Sequence, residues 1–345
     1  MAKTRGKKGM TYAKAGVDID LKSRCISALV NELRDERKGR WKTLGLPGHF
    51  TGLIDFGEYA LSLCTDGVGT KLLIAEEMGV WDTIGIDCVA MNVNDTICVG
   101  AEPIAFVDYI AVDQPKPDVM AAVGKGLQEG MRQSNAAIVG GEVAILPDLV
   151  TGLDLSGTCL GIVKKKDVIT GQKCAPGDAV IGLPSTGVHS NGLTLARKVF
   201  EKKGYGFNDR VKGLKKTVGQ ELLIPTKIYV REVLDVLSKF KIHGMVNITG
   251  GGLRNFVRLK EDIGFCIGDP MKPLPIFEVI QELGEISDKE MYQTFNMGMG
   301  FAMIAPKKDA KKIVSTLGKG AKIVGEVDDS GAVTVPSLGL KYDRY

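Results

Sequence analysis

Asp66-Gly67-Val68-Gly69-Thr70-Lys71 follows directly on Tyr59–Cys64, whose apolar alternation reads as a strand. Two glycines at alternate positions let successive backbone N–H groups converge on an anion, and Lys71 adds a point charge suited to phosphate. Asp66, at the strand end, is an oxygen ligand for Mg²⁺, an ion usually held by one or two carboxylates together with phosphate oxygens. The plainer reading of the same sextet is a tight turn closed by a salt bridge. Neither G-x-x-x-x-G-K-[ST] nor G-x-G-x-x-G occurs, so the chain carries no Walker A loop and no Rossmann fingerprint.

Polar residues recur where apolar ones are expected. Asn92, Asn94 and Asp95 lie among Val89, Met91, Val93 and Ile97 in a helix running from about Trp81 to Val99. One buried polar side chain is usually a satisfied core contact; three so close point to a ligand site, with Asp95 as a second carboxylate for Mg²⁺. Asp108 stands in Ile104–Val112, a strand apolar on both faces and therefore expected to be buried on both. A lone carboxylate there costs several kcal/mol, roughly, so Asp108 either anchors structure or faces a site. Glu142 follows Gly140-Gly141 at the end of a buried strand, Ala136–Val139, where open sheets present ligands.

Ser185-Thr186-Gly187-Val188-His189-Ser190-Asn191-Gly192 leads into a helix, and its hydroxyls and amides, Ser190 and Asn191 among them, suit phosphate at a helix N-terminus. His189 is the only histidine inside such a loop, which makes it the candidate general acid–base or phosphate ligand. His49 and His243 are weaker candidates. Thr249-Gly250-Gly251-Gly252 offers a second anion-binding turn before a helix.

Composition fits this chemistry. The 44 glycines are about 13% of the chain against roughly 7% usually, and they cluster at the turns just named. No stretch of about 18 apolar residues spans a membrane, and no apolar core follows the basic Met1–Lys8 as a secretory signal requires. A net charge of +4, with basic residues scattered, argues against nucleic acid. Seven cysteines without a C-x-x-C pair read as free thiols in a reducing cytoplasm.

The elements that must position these residues alternate throughout 345 residues, a length that suits two domains. Residues 1–58 read as a mobile, ligand-proximal leader with a helix from about Leu21 to Arg37. Further segments are a helix at Lys116–Gln133 and a strand at Leu155–Val163. Lys164-Lys165-Lys166-Asp167 reads as a solvated turn, placing a boundary between 1–166 and 167–345. Beyond it come strands at Ala179–Leu183, Ile263–Gly268, Phe301–Ile304 and Lys322–Val327. Helices fall at Gly192–Lys203, Pro225–Leu237, Pro275–Leu283 and Lys308–Leu317. The fold class is α/β (α+β), two mixed domains with helices layered on sheets.

In order along the chain, these motifs resemble the aminoimidazole ribonucleotide synthetase (phosphoribosylformylglycinamidine cyclo-ligase) family. The resemblance runs from Tyr12-Ala13-Lys14-Ala15-Gly16-Val17-Asp18-Ile19-Asp20 to about Val335, and takes in Thr65–Leu72 and Gly85-Ile86-Asp87. It continues with D-x-x-x-x-G-A-x-P (Asp95, Gly100, Ala101, Pro103), Gly140-Gly141-Glu142, His189–Gly192, Pro225–Val230, Ile248–Gly252 and Tyr292–Gly298. It implies ATP- and Mg²⁺-dependent closure of formylglycinamidine ribonucleotide to aminoimidazole ribonucleotide, with a monovalent cation as a further candidate. It also implies a cytoplasmic homodimer whose N-terminal sheets pair into a barrel near the nucleotide, and a C-terminal α/β sandwich. On this view Asp66, Gly67, Gly69, Thr70, Lys71, Asn94 and Asp95 bind ATP, with Asp66 and Asp95 on the metal. Glu142, Ser190, Asn191, Thr249, Gly250 and Gly251 bind substrate, and His189, Lys71 and Asp108 are catalytic.

The chain departs from the family pattern at four places. Ile145 lies in Val143-Ala144-Ile145-Leu146-Pro147, where a carboxylate is usual; His49 replaces a glycine, Asn247 a histidine, and Ala13 a lysine. Two other readings compete. One is a catalytically silent nucleotide-binding scaffold; the other is a related phosphotransferase such as thiamine-phosphate kinase.

Overall fold

Two sheets carry the fold in the computed structural model, which describes residues 9–33, 37–46, 48–260 and 262–343. The basic Met1–Lys8 tail lies outside the described residues. The first sheet contains β1 (Thr43–Leu44), β2 (Gly52–Phe56), β3 (Tyr59–Gly67), β4 (Glu102–Val112), β5 (Ala137–Ile145) and β6 (Leu153–Lys164). Their order is β1-β2-β3-β6-β4-β5, antiparallel apart from the β4–β5 pair. The second contains β7 (Ala179–Pro184), β8 (Gly244–Asn247), β9 (Gly264–Cys266), β10 (Met299–Ala305), β11 (Lys322–Asp328), β12 (Val333–Val335) and β13 (Leu340–Tyr342). It runs β13-β12-β9-β11-β7-β10-β8, with only β12–β9 parallel. Lys165–Asp167, between the sheets, forms an exposed 3₁₀ turn.

Helices α1 (Ile19–Glu32), α2 (Lys71–Met78), α3 (Ile84–Ile97) and α4 (Pro117–Ser134) belong to the first half. In the second are α5 (Leu193–Lys202), α6 (Val218–Leu222), α7 (Val230–Lys239), α8 (Pro275–Gly284), α9 (Asp288–Thr294) and α10 (Ala310–Leu317). Helix α3 lies across β3, β4 and β6, while α7 touches α3 and α4 on one side and α10 on the other. One continuous apolar core therefore runs from Val93 and Phe106 to Ile181, Phe277 and Phe301.

Helices α3 and α4 meet through glycine. A Cβ on Gly85 would lie 2.1 Å from the Leu127 nitrogen, closer than any real carbon contact. Gly85→Ala is therefore expected to force the helices apart and destabilise the chain by about 1–3 kcal/mol, read as a lowered denaturation midpoint. An unchanged midpoint would show that the helices yield freely.

Several expectations need correction. Strand β4 is covered on one face only, because Val107 and Tyr109 are 39% and 42% exposed while Phe106 and Ile110 are buried. Strand β5 continues to Ile145, so Gly140-Gly141-Glu142 lies in mid-strand, and this edge strand is exposed along nearly its whole length. Helix α1 stops at Glu32, where Leu33 turns extended, rather than reaching Arg37. The helix expected from Pro225 begins at Val230, and Gly252–Arg258 forms a 3₁₀ helix rather than an α-helix.

Candidate functional site

The halves enclose a cleft of about 1450 Å³, lined by Asp66 and Asp95 from the first and by Asn191, Thr249, Gly250 and Arg258 from the second. Helix α1 adds Lys22, Ser23 and Ile26 to its wall, so this part of the leader borders the cleft. Asp66 occupies the last turnward positions of β3, and its Oδ1 accepts from the Gly67 N–H at 2.8 Å. Gly69, at φ +70°, makes the left-handed turn into α2 that a side chain would resist. Asp95 lies in the last turn of α3 and accepts at Oδ1 from the Asn247 amide, 2.8 Å away.

Burial pushes the Asp95 carboxyl up to about 7; the Asn247 hydrogen bond opposes this, and neighbouring Asp66 adds to it. Burial raises Asp66 as well, against the Gly67 N–H. Asp66 and Asp95 both line the cleft, and burial disfavours the charge on each. Their number and type fit Mg²⁺ completed by phosphate oxygens.

Lys71 does not reach this cleft as a free cation. It is fully buried, its Nζ 2.8 Å from Asp87 Oδ2, 2.9 Å from Asp87 Oδ1 and 2.8 Å from the Ile224 carbonyl. Asp87 Oδ1 also accepts from the Thr226 N–H at 2.7 Å, the Thr226 hydroxyl at 2.6 Å and the Ser190 hydroxyl at 3.1 Å. Ser190 thus belongs to an ionic knot joining the halves. Asn94 acts likewise: its Nδ2 donates to the Lys227 carbonyl at 2.8 Å and its Oδ1 accepts from the Tyr229 N–H at 3.0 Å. Thr70 and Thr194 pair their hydroxyls at 3.0 Å.

His189 is buried at φ +65°, and its Nε2 accepts from the Thr186 N–H at 3.2 Å, which ties the loop to itself. Burial, with the positive charges of Lys71 and Lys227, pushes its pKa down to about 3. A ring that stays neutral at pH 7 with one nitrogen engaged is poorly matched to acid–base work near neutrality.

Asp108 is half-buried on β4, in register with Gly157 of β6 and Gly141 of β5, while Gly157 in turn faces Asp66. Glycine leaves its carboxylate uncovered, since a Cβ on Gly141 would lie 2.5 Å from Asp108 Oδ1. Glu142 is exposed, opposite Tyr109, and lines no part of the cleft.

Neither Asp87 nor Arg258 stands out in the sequence as a site residue. Asp87 carried a signal, a carboxylate in an apolar helix. Arg258 carried none; it reaches the Gly48 and His49 carbonyls at 2.8 Å and lies 4.1 Å over the Phe50 ring. Tyr12 stands in the sequence only as the start of a motif, yet its N–H donates to Glu290 at 2.6 Å and it lines the cleft.

A two-sheet α/β chain with a cleft between its halves, lined by Asp66 and Asp95 together with Lys22 and Arg258, is the class that this geometry defines. Residues 48–163 match the model for the N-terminal domain of AIR synthase related proteins, and residues 175–336 the C-terminal domain. The chain belongs to the AIR synthase related protein family. It is 52% identical over 325 residues to the phosphoribosylformylglycinamidine cyclo-ligase of Methanosarcina acetivorans, covering 94% of this chain and 96% of that one. It is 46% identical to the same-named protein of Methanococcus maripaludis, covering 93% of each. Among solved structures, AaThiL complexed with AMPPCP and TMP superposes with a TM-score of 0.64 at 13% identity, over 98% of this chain and 97% of that one. That likeness speaks for the fold alone.

Proposed function

We propose that this chain closes formylglycinamidine ribonucleotide to aminoimidazole ribonucleotide, using ATP and releasing ADP and phosphate. The observation that carries this is identity of about half the residues, over more than nine-tenths of both chains, with proteins named phosphoribosylformylglycinamidine cyclo-ligase. An amide-type oxygen leaves poorly. Phosphorylating the formyl oxygen turns it into a leaving group, which the amidine nitrogen then displaces as the ring closes.

For such a reaction the chain's work is positioning and charge stabilisation. Asp66 and Asp95 would hold Mg²⁺, which when bound offsets negative charge on the phosphate oxygens. The Gly67 N–H already serves Asp66 and the Val68 N–H the Leu155 carbonyl, so Gly69, at the entry to α2, would be this turn's contact with phosphate, and Asn191, Thr249, Gly250 and Gly251 would orient the ribonucleotide from the opposite wall. Lys71, Asn94, Thr70 and Ser190 hold the halves in register, and His189 shapes its loop. Asp108 and Glu142 lie outside this cleft on the β4–β5 pair, so the roles expected of them, catalysis and substrate contact, would be played at the open face of the first sheet.

The open face bearing Leu63, Val107 and Tyr109, next to the unpaired edge β5, supports a homodimer in which a second copy covers it. The deciding experiment mixes the purified chain with ATP, Mg²⁺ and formylglycinamidine ribonucleotide. Equal amounts of ADP and aminoimidazole ribonucleotide are expected. Nucleotide binding without ring closure would favour the silent scaffold.

A further inference from the structure

Asn247 ends β8 in the second half and is almost fully buried, yet its side chain crosses to the first half and donates to Asp95 Oδ1 at 2.8 Å. Its backbone is held firmly. It pairs with Phe301 on β10, and the following Ile248 N–H donates to the Gly300 carbonyl at 3.0 Å. Asp95 lies in the last turn of α3, where its carbonyl accepts from the Cys98 N–H at 3.2 Å, so donor and acceptor are each fixed by their own element.

We propose that Asn247 is a positioning residue for Asp95: by taking up Oδ1 from across the cleft, it leaves Oδ2 for a divalent cation carrying a nucleoside triphosphate. The inference rests on the reading of Asp66 and Asp95 as the Mg²⁺ site. A neutral amide suits the task for a physical reason. It donates to the ionised carboxylate and so favours it, without cancelling the charge that attracts the cation, as a lysine would. An acid at this position would share a proton with Asp95 or compete for the metal. Groups that orient a metal ligand in this way commonly govern affinity by roughly 10–100-fold.

The test is calorimetric titration of the full chain with Mg²⁺ and AMPPNP, with Mn²⁺ alone followed by paramagnetic resonance as a second readout. Asn247→Ala is expected to weaken Mg²⁺–AMPPNP binding about tenfold, and Asn247→Asp at least as much. Asn247→His keeps an N–H donor and should stay within about threefold of the parent. In an Asp95→Asn background, Asn247→Ala should cause no further loss, which a merely structural role would not predict. Unaltered binding by Asn247→Ala, or the same loss in both backgrounds, overturns the inference. A parent chain that binds Mg²⁺–AMPPNP but closes no ring removes the proposed reaction instead, and leaves Asn247 with this role.

Discussion

Asp87→Ala is expected to cost the folded chain about 3–5 kcal/mol, the penalty for stranding one member of a buried ion pair. Lys71 and Asp87 are both fully shielded from water. Without the carboxylate, the Lys71 ammonium keeps the Ile224 carbonyl, and Thr226 and Ser190 lose their shared acceptor. Burial already lowers the Lys71 pKa, and only Asp87 opposes it. The loss should appear as a lower denaturation midpoint, together with loosened contact between the halves seen in amide exchange around Thr226. A combined Lys71→Met, Asp87→Leu chain is the decisive control. Replacing a buried pair by apolar groups of similar volume is often neutral, so most of the stability should return. If Asp87→Ala loses less than about 1 kcal/mol, the pair is not what holds the halves together.

This pair also marks where the sequence stopped being legible. Lys71 follows a glycine turn at the spacing of a phosphate-binding cation, and residue type with spacing carries no record of burial. Its partner carbonyl at Ile224 lies 153 residues away, and the acceptor and donor of Asn94 lie 133 and 135 residues away. Such long-range polar closures leave no local pattern. Periodicity did report the elements themselves, since β3, β6, β7, α5 and α8 fall within a few residues of where alternation and caps put them. Strand β4 departs from its sequence pattern for a related reason. Apolar residues on both faces say that both will be covered, and a sequence does not state whether a helix of the same chain or another chain covers them. The short strands β8, β12 and β13 carry three or four residues each, too few for a period to emerge. Asp66 and Asp95, by contrast, were legible, because a carboxylate after a strand and a polar break in an apolar helix are both anomalies that folding alone does not explain.

Those two carboxylates carry the largest effect expected on activity. Asp66→Asn and Asp95→Asn should each lower ring closure by roughly 10²–10³-fold or more, as removing a fixed electrostatic group from a phosphoryl-transfer site does. The folded chain should remain. Asp95→Asn should even gain stability in alkaline buffer, and the sign follows from linkage. The folded chain keeps the Asp95 proton up to about pH 7, whereas an unfolded aspartate releases it near 3.8. Between those values the folded state binds more protons than the unfolded one, so this residue's contribution to stability falls as pH rises from about 4 to 7 and levels off above. Asparagine has no proton to lose. Melting curves at pH 5 and pH 8 should show its advantage growing with pH, while ADP release at pH 8 shows activity collapsed. This pairing of a more stable chain with a dead one separates a site that accepts the cost of unshielded charge from a carboxylate that merely props up the fold. A variant that lost stability and activity together at pH 8 would assign Asp95 to the scaffold, and turnover within tenfold of the parent would take both residues out of the metal site.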